Sequence, residues 1–393
     1  MSSKSIKSIL VATFSLCCIT VFAQKDKASE TETSKGKMDA GAIILDHVMD
    51  AHEFHFFTIK NEENSKKSTE VSIPLPVIVC SPSKGFSMFL SSKFHHGEEV
   101  YNGYRLLEPT FMKEHGLDKI KDAKNQPLFE AGKIYVTDAT GMPDLNVKVY
   151  DFSLTKNATQ MLLALALLLF LMISIAKKYK KGEGVIDAPK GWQNAIEPVI
   201  TFVRDDIARP NLGKKYKTYL PFLLTIFFFI LINNILGLIP GAANVSGNIA
   251  FTFVLGIISF IIILLSTNKH YWLHIFWPPV PHGVKPILIP VEILGIFTKP
   301  FALIIRLFAN MLAGHIIILS FVCLIFIMGA MKTALGWGTS PLFVALAVFI
   351  YLLEVLVAFI QAYIFTTLTA VFIGQAFEGG HDEVVHHHEE VVV

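Results

Sequence analysis

The chain has 393 residues, 52% of them hydrophobic and only 17% charged, with 32 phenylalanines and a formal net charge of +2. Soluble domains carry about 25% charged residues, so the balance excludes a soluble protein, and so small a net charge offers no basic surface for nucleic acid. What remains is an integral membrane protein whose few charges are informative by position.

Residues 1–23, MSSKSIKSILVATFSLCCITVFA, set Lys4 and Lys7 before an apolar run that ends in Val21-Phe22-Ala23. That is the pattern of a signal peptide cut before Gln24. Two alternatives stand beside it. One is an uncleaved first span, for which the run is short. The other is a lipid anchor on Cys17, where Leu16 occupies the place of the expected small residue. Cleavage removes Cys17 and Cys18, and leaves Cys80 outside and Cys323 in the membrane, so no disulfide framework is expected. Residues 24–38, QKDKASETETSKGKM, are polar and aperiodic and read as a disordered linker. Residues 39–150 predict a small external domain, mostly β, from the runs FHFFTIK, EVSIPLPVIVC, KIYVT and LNVKVYDF with Gly, Pro and Asn between them. A short helix is expected before them, around 40–52.

From residue 151 to 377 the chain reads as a membrane domain. Spans are expected at 158–176, 219–240 and 249–266, each near the roughly 20 residues a bilayer demands. Two longer apolar segments follow at 287–328 and 342–373; each exceeds one perpendicular crossing and must tilt or kink. The fold class is therefore an all-α polytopic membrane protein with about five membrane helices, the last two long and tilted, plus the external domain. Residues 177–219 carry ten Lys/Arg, whereas the loop 240–248 carries no charge. The positive-inside rule makes the first cytoplasmic and the second external. The N-terminal domain then lies outside, and the polar tail 378–393 in the cytoplasm. Within the basic loop, 191–213 has the apolar spacing of an amphipathic helix, suited to the membrane surface or to a soluble partner.

The polar residues inside the apolar segments carry the chemistry. Glu292, Lys299 and Arg306 are spaced by seven and share one stripe, which Asn310 extends; His315 lies further along. On the last segment Glu354 and Gln361 are again seven apart. An arginine at mid-membrane costs roughly 2.5–3.5 kcal/mol, and ionisable groups there mark ion pathways. Arginine stays protonated, so it can repel cations and attract a carboxylate but cannot relay protons. Glu354 and His315 can relay. Structural alternatives accompany each: Lys299 snorkelling beside Pro300, Glu292 in a structural ion pair, Arg306 bridged to Glu354, His315 as an ordinary buried histidine, and Gln361 as packing glue. Asn233 and Asn234 read as packing residues. The runs HVMDAHEFH (47–55) and HDEVVHHHEE (381–390) lack HExxH spacing, and no metal, cofactor or catalytic residue is expected.

RLFANMLAG at 306–314 after KPFALII, with EVLVAFIQAYIFTTLTAVFIG at 354–374, resembles subunit a of the F-type ATP synthases. GWQNAIEPVITFVRDDIA (191–208), NNILGLIPG (233–241) and PVEILGIFTKP (290–300) add to the likeness, which covers about residues 150–377. The resemblance implies a membrane stator in the bacterial inner membrane, beside a rotating ring of c subunits and held by b-type peripheral stalk subunits. It places the family's essential arginine on Arg306, its asparagine on Asn310, its glutamine on Gln361 and its other acidic position on Glu292. Protons are then expected to enter from outside past Glu354, His315 and Glu292 toward a c-subunit carboxylate. The usual glutamate–histidine pair appears swapped, as His315 and Glu354. A stand-alone channel or secondary transporter is the alternative. The resemblance says nothing about the external domain, and no phosphate-cradling motif suggests direct nucleotide binding.

Overall fold

The computed structural model describes residue 41 and residues 49–377, except 61–67, 96, 98, 122–126, 139, 146, 183–190, 240, 278–282 and 284. The expected signal peptide, linker and C-terminal tail lie outside the described residues, as does most of the helix expected before the strands.

The N-terminal part is built from short antiparallel pairs. β1 (Glu53–Lys60) pairs with β2 (Ser68–Pro74), with a register shift between His55 and Phe57. The run EVSIPLPVIVC does not form one strand, because Leu75 sits between two prolines that cannot donate to a ladder. Its N–H turns instead to the Ser91 hydroxyl at 3.1 Å and the His52 carbonyl at 3.3 Å. β3 (Pro76–Ser81) follows and lies between β4 (Gly85–Leu90) and β7 (Tyr150–Asp151). β5 (Tyr104–Leu106) pairs with β6 (Ile134–Val136), and helix α1 (Pro109–Glu114) starts on a proline, whose missing N–H costs nothing there.

Alternation along β3 makes the core. Val77 and Val79 are fully buried with Phe94, Tyr104, Ile134 and Val136, each large apolar side chain contributing about 1.5–3 kcal/mol of burial. The Tyr104 hydroxyl, otherwise stranded in that core, meets Ser81 Oγ at 2.9 Å. Asn102 and Gly103, with φ of 51° and 70°, form a left-handed two-residue turn closed by mutual backbone bonds between Tyr101 and Tyr104. Asn-Gly is the dipeptide that turn needs.

The junction with the membrane part is tightly tied. His52 Nε2 lies 3.4 Å from Asp151 Oδ2, and the Ser153 N–H donates to Asp151 at 2.8 Å. Burial opposes the charge on Asp151, but hydrogen bonds from His52 and Ser153 outweigh it and hold the carboxyl below its ordinary value. A depressed folded value means that stability is present above the unfolded value, about 3.9, and is lost as pH falls beneath it. Protease cleavage near residues 150–157 is therefore expected to rise between pH 5 and pH 3 in the native protein. In Asp151→Asn it should change little over that range; an equal rise in both would remove Asp151 as the cause.

Thr155 caps α2 (Lys156–Lys180) by accepting the Ala158 N–H at 3.3 Å. Among the described residues, four helices are long and apolar enough to cross a membrane: α2, the run Trp192–Gly237, α7 (Lys285–Met331) and α8 (Thr333–Phe377). A shorter apolar helix, α5 (Ile249–Leu265), has 17 residues and is capped by Asn248. The expected amphipathic helix and second span are joined more closely than the sequence suggests. α3 (Trp192–Phe202) passes through a π-helical stretch, Val203–Ala208, and a further turn, Arg209–Leu212, before a 3-10 turn leads into α4 (Tyr216–Gly237). Arg204 and Arg209 share Asp205 across that stretch, at 2.7 Å each. A short helix, α6 (Lys269–Phe276), connects α5 to α7.

α7 and α8 form a hairpin of 47 and 45 residues with Lys332 alone between them. Gly329 and Gly336 let the two arms meet backbone to backbone near the tip, where a Cβ on Gly336 would lie 2.6 Å from Gly329 Cα. Polar groups tie the helices together. Gln160 on α2 donates to and accepts from the Ala243 backbone at 2.6 and 2.7 Å. At the other end, Asn268 donates to the carbonyls of Ala376 and Phe377, from its backbone and side chain. Lys299 does not simply reach for solvent: its ammonium donates to Gln375 Oε1 at 3.1 Å and lies over the Phe372 ring.

Candidate functional site

The site lies on the facing arms of the α7–α8 hairpin. His315 on α7 and Glu354 on α8 meet, with Nδ1 3.5 Å from Oε1. Glu354 is 4% exposed and His315 has 23% of its side-chain surface open. Glu354 Oε2 is buried with no hydrogen-bond partner among the described residues. A half-satisfied carboxylate is costly in an apolar setting unless it takes a proton or shares its charge. The pair therefore has the chemistry of a proton carrier with a neighbouring exchange partner.

Gly314 makes the approach possible. A Cβ there would lie 2.9 Å from Glu354 Oε1 and 3.0 Å from Cδ. Gly314→Ala should displace the carboxylate, the movable end of a flexible side chain, with little loss of stability. If the pair carries protons, proton flux through the protein is expected to fall several-fold in this variant while its thermal midpoint barely moves; unchanged flux would detach the His315–Glu354 approach from proton transfer.

Helix rise sets the levels of the other residues. At about 1.5 Å per residue, Arg306 lies roughly 13 Å along α7 from His315, and Asn310 roughly 8 Å. Gln361 lies roughly 10 Å beyond Glu354 on the antiparallel α8. Arg306, Asn310 and Gln361 thus share one level, below the His315–Glu354 pair. Arg306 and Asn310 are exposed, whereas Gln361 is 4% exposed. Arg306 makes no ion pair or hydrogen bond among the described residues, so the structural bridge to Glu354 is not formed. Glu292, half-buried, is not brought to this group: it lies roughly 35 Å along α7 from His315, on the side of Lys299.

Supporting residues come from α4 and the turn after it. Asn234 donates to the Ala358 carbonyl on α8 at 3.1 Å and accepts from the Ser246 hydroxyl at 2.5 Å. Asn233 bonds its own helix at Phe229, so both asparagines pack, as expected from the sequence. Asn244 donates to the Met311 carbonyl at 3.0 Å, and the Tyr351 hydroxyl to the Leu238 carbonyl at 3.2 Å. Sequence reasoning missed Gln160, Asn244, Ser246 and Tyr351. A lone amide opening an apolar span was a signal for Gln160; nothing local marks the others, since Asn244 and Tyr351 bond backbone carbonyls distant in sequence and Ser246 bonds the Asn234 side chain. Of the histidine runs, His47 and the tail lie outside the described residues, and His52 faces Asp151.

Comparison with known proteins adds independent findings. A family described as ATP synthase A chain matches residues 159–374. A second family, described only as a domain of unknown function, matches residues 43–152. A protein named ATP synthase subunit a from Chloroherpeton thalassium is 45% identical over 252 residues, 63% of this chain and 74% of that protein. One from Chlorobium phaeobacteroides is 39% identical, covering 70% of this chain and 79% of the relative. One from Myxococcus xanthus is 42% identical, covering 63% and 80%.

Proposed function

Because the chain belongs to the ATP synthase A chain (subunit a) family, we propose that it is the proton-conducting stator of the F-type membrane sector. In this reading Arg306 faces a carboxylate on the rotating c ring. The observation that carries it is the exposed guanidinium on a membrane helix, with no hydrogen bond or ion pair among the described residues. A permanent charge there, at a cost of roughly 2.5–3.5 kcal/mol, is sustained by a counter-charge that another chain brings.

Protons enter from the outside through an aqueous half-channel and reach the His315–Glu354 pair. From there the level of Asn310 and Gln361 leads to the ring. A protonated c-subunit carboxyl is neutral and can turn into lipid at tolerable cost. On completing its circuit it meets Arg306, which favours the ionised form and releases the proton to a cytoplasmic half-channel. Glu292, expected from the sequence on the entry path, stands on the far side of Arg306 from His315 and suits that exit instead. The fixed charge also bars direct passage between the half-channels. Each proton brings about 2.3 kcal/mol per 100 mV, and the ring passes this work to soluble subunits where ATP is made. The basic loop 177–219 supports a cytoplasmic placement for that side, with the N-terminal domain periplasmic. A b-type stalk holding the chain against the ring's torque completes the set of partners.

The test is proximity. In the assembled complex, Ala309→Cys, exposed one turn beyond Arg306, should form disulfides with cysteines placed beside the proton-binding carboxyl of the c subunit. Absence of cross-linking at every position along that helix would overturn the reading.

A further inference from the structure

The sheet β4-β3-β7 has an outer face that nothing in the proton path uses. Along β4, Phe86, Met88 and Leu90 alternate outward at 69%, 65% and 50% exposure, while Ser87 and Phe89 point in. Register extends this across the sheet, since directly opposed residues share a face. Phe86 opposes Cys80, which opposes Tyr150. Met88 opposes Ile78, whose carbonyl accepts the Phe152 N–H at 2.8 Å. Leu90 opposes Pro76, whose carbonyl accepts the Leu154 N–H at 3.2 Å. Three apolar rungs therefore stack on one face, with Tyr150 and Phe152 themselves 47% and 68% exposed. An open apolar face ending in an unpaired strand edge is a liability in water and marks a membrane or protein contact.

We propose that this face rests on the outer leaflet of the bilayer. The argument is continuity with a surface already in lipid. The last rung ends two residues before Lys156, the first residue of α2, whose outward side is apolar. The connection is held rigid there. The Lys156 N–H donates to the Ala51 carbonyl at 2.8 Å, and the Asn157 N–H to Asp50 at 3.2 Å. With a rise of about 3.3 Å per residue, the rungs cover roughly 13 Å outward from that point, starting at the level of the headgroups. Aromatic side chains are favoured in that interfacial zone. Lys148, whose ammonium lies 5.2 Å from the centre of the Tyr150 ring, supplies a cation at the rim for lipid phosphates.

A photoreactive side chain distinguishes the occupants. Met88→benzoylphenylalanine and Phe152→benzoylphenylalanine would be made separately in the whole complex, reconstituted in phosphatidylethanolamine–phosphatidylglycerol liposomes. Lys113→benzoylphenylalanine, on exposed α1, is the control. On illumination the chain should gain the mass of one phospholipid at positions 88 and 152 and not at 113. Adducts with another subunit, or with a second copy of this chain, would assign the face to a protein and overturn the proposal. Labelling no greater than at 113 would leave the face in water and overturn it equally. Two positions guard against one variant that fails to fold.

Discussion

ATP-driven proton pumping is expected to vanish in membrane vesicles that carry Arg306→Ala, by about 10²-fold or more, the usual loss when a preorganised charge stabiliser is removed. The complex itself should assemble, because the guanidinium is exposed and makes no hydrogen bond or ion pair among the described residues, so its loss strands no partner there. Arg306→Lys should not restore the wild-type rate, since a compact ammonium lacks the planar fork that meets a carboxylate from two directions. In vesicles stripped of the soluble sector, Arg306→Ala should raise passive proton leak, because the barrier between half-channels is the fixed charge. Pumping at the wild-type rate in Arg306→Ala would make the arginine structural and sink the mechanism.

The second large effect concerns His315 and Glu354. Each lies where the other can reach it, on facing arms of one hairpin. His315→Glu places two carboxyls in one partly buried site, and Glu354→His places two imidazoles there; like groups cannot both ionise at such range. Either single change should cut pumping at least about tenfold, which corresponds to roughly 1.4 kcal/mol. The double exchange restores one acid facing one base and should recover most of the rate. Neighbouring residues in one network show coupling of about 0.5–3 kcal/mol, so the recovery is measurable. A double variant as poor as the worse single would mean that the two side chains serve separate steps.

Much of the membrane part was legible because lipid imposes simple rules. Length and hydropathy found every apolar helix, and the excess length of 287–328 and 342–373 anticipated the long hairpin arms. The seven-residue spacing grouped Arg306 with Glu292, however, and periodicity along one helix says nothing about distance along it. Glu292 shares the helix with Arg306 but stands at another level. Lys299 looked like a snorkelling side chain because its partner, Gln375, lies 76 residues away. The N-terminal part was harder. Its strands are short and its runs are broken by proline, so EVSIPLPVIVC, taken as one strand, is two. GFSMFL was passed over although it forms β4, because an edge strand apolar on both faces lacks the alternation of a half-buried one. The Asn-Gly turn at 102–103 was a signal that the sequence reading did not use.

A hairpin joined by one residue also has a phase. Glu354 meets His315, and Gln361 keeps the level of Arg306 and Asn310, only because the arms are counted outward from the same turn at Lys332. One codon inserted on either arm between the tip and the His315–Glu354 pair rotates everything beyond it by about 100° and shifts it by about 1.5 Å. Lineages can therefore lengthen this part of the protein only in matched instalments, about seven residues beyond His315 with seven before Glu354, which return both faces to register. Its length should evolve in jumps, while its sequence drifts freely between them.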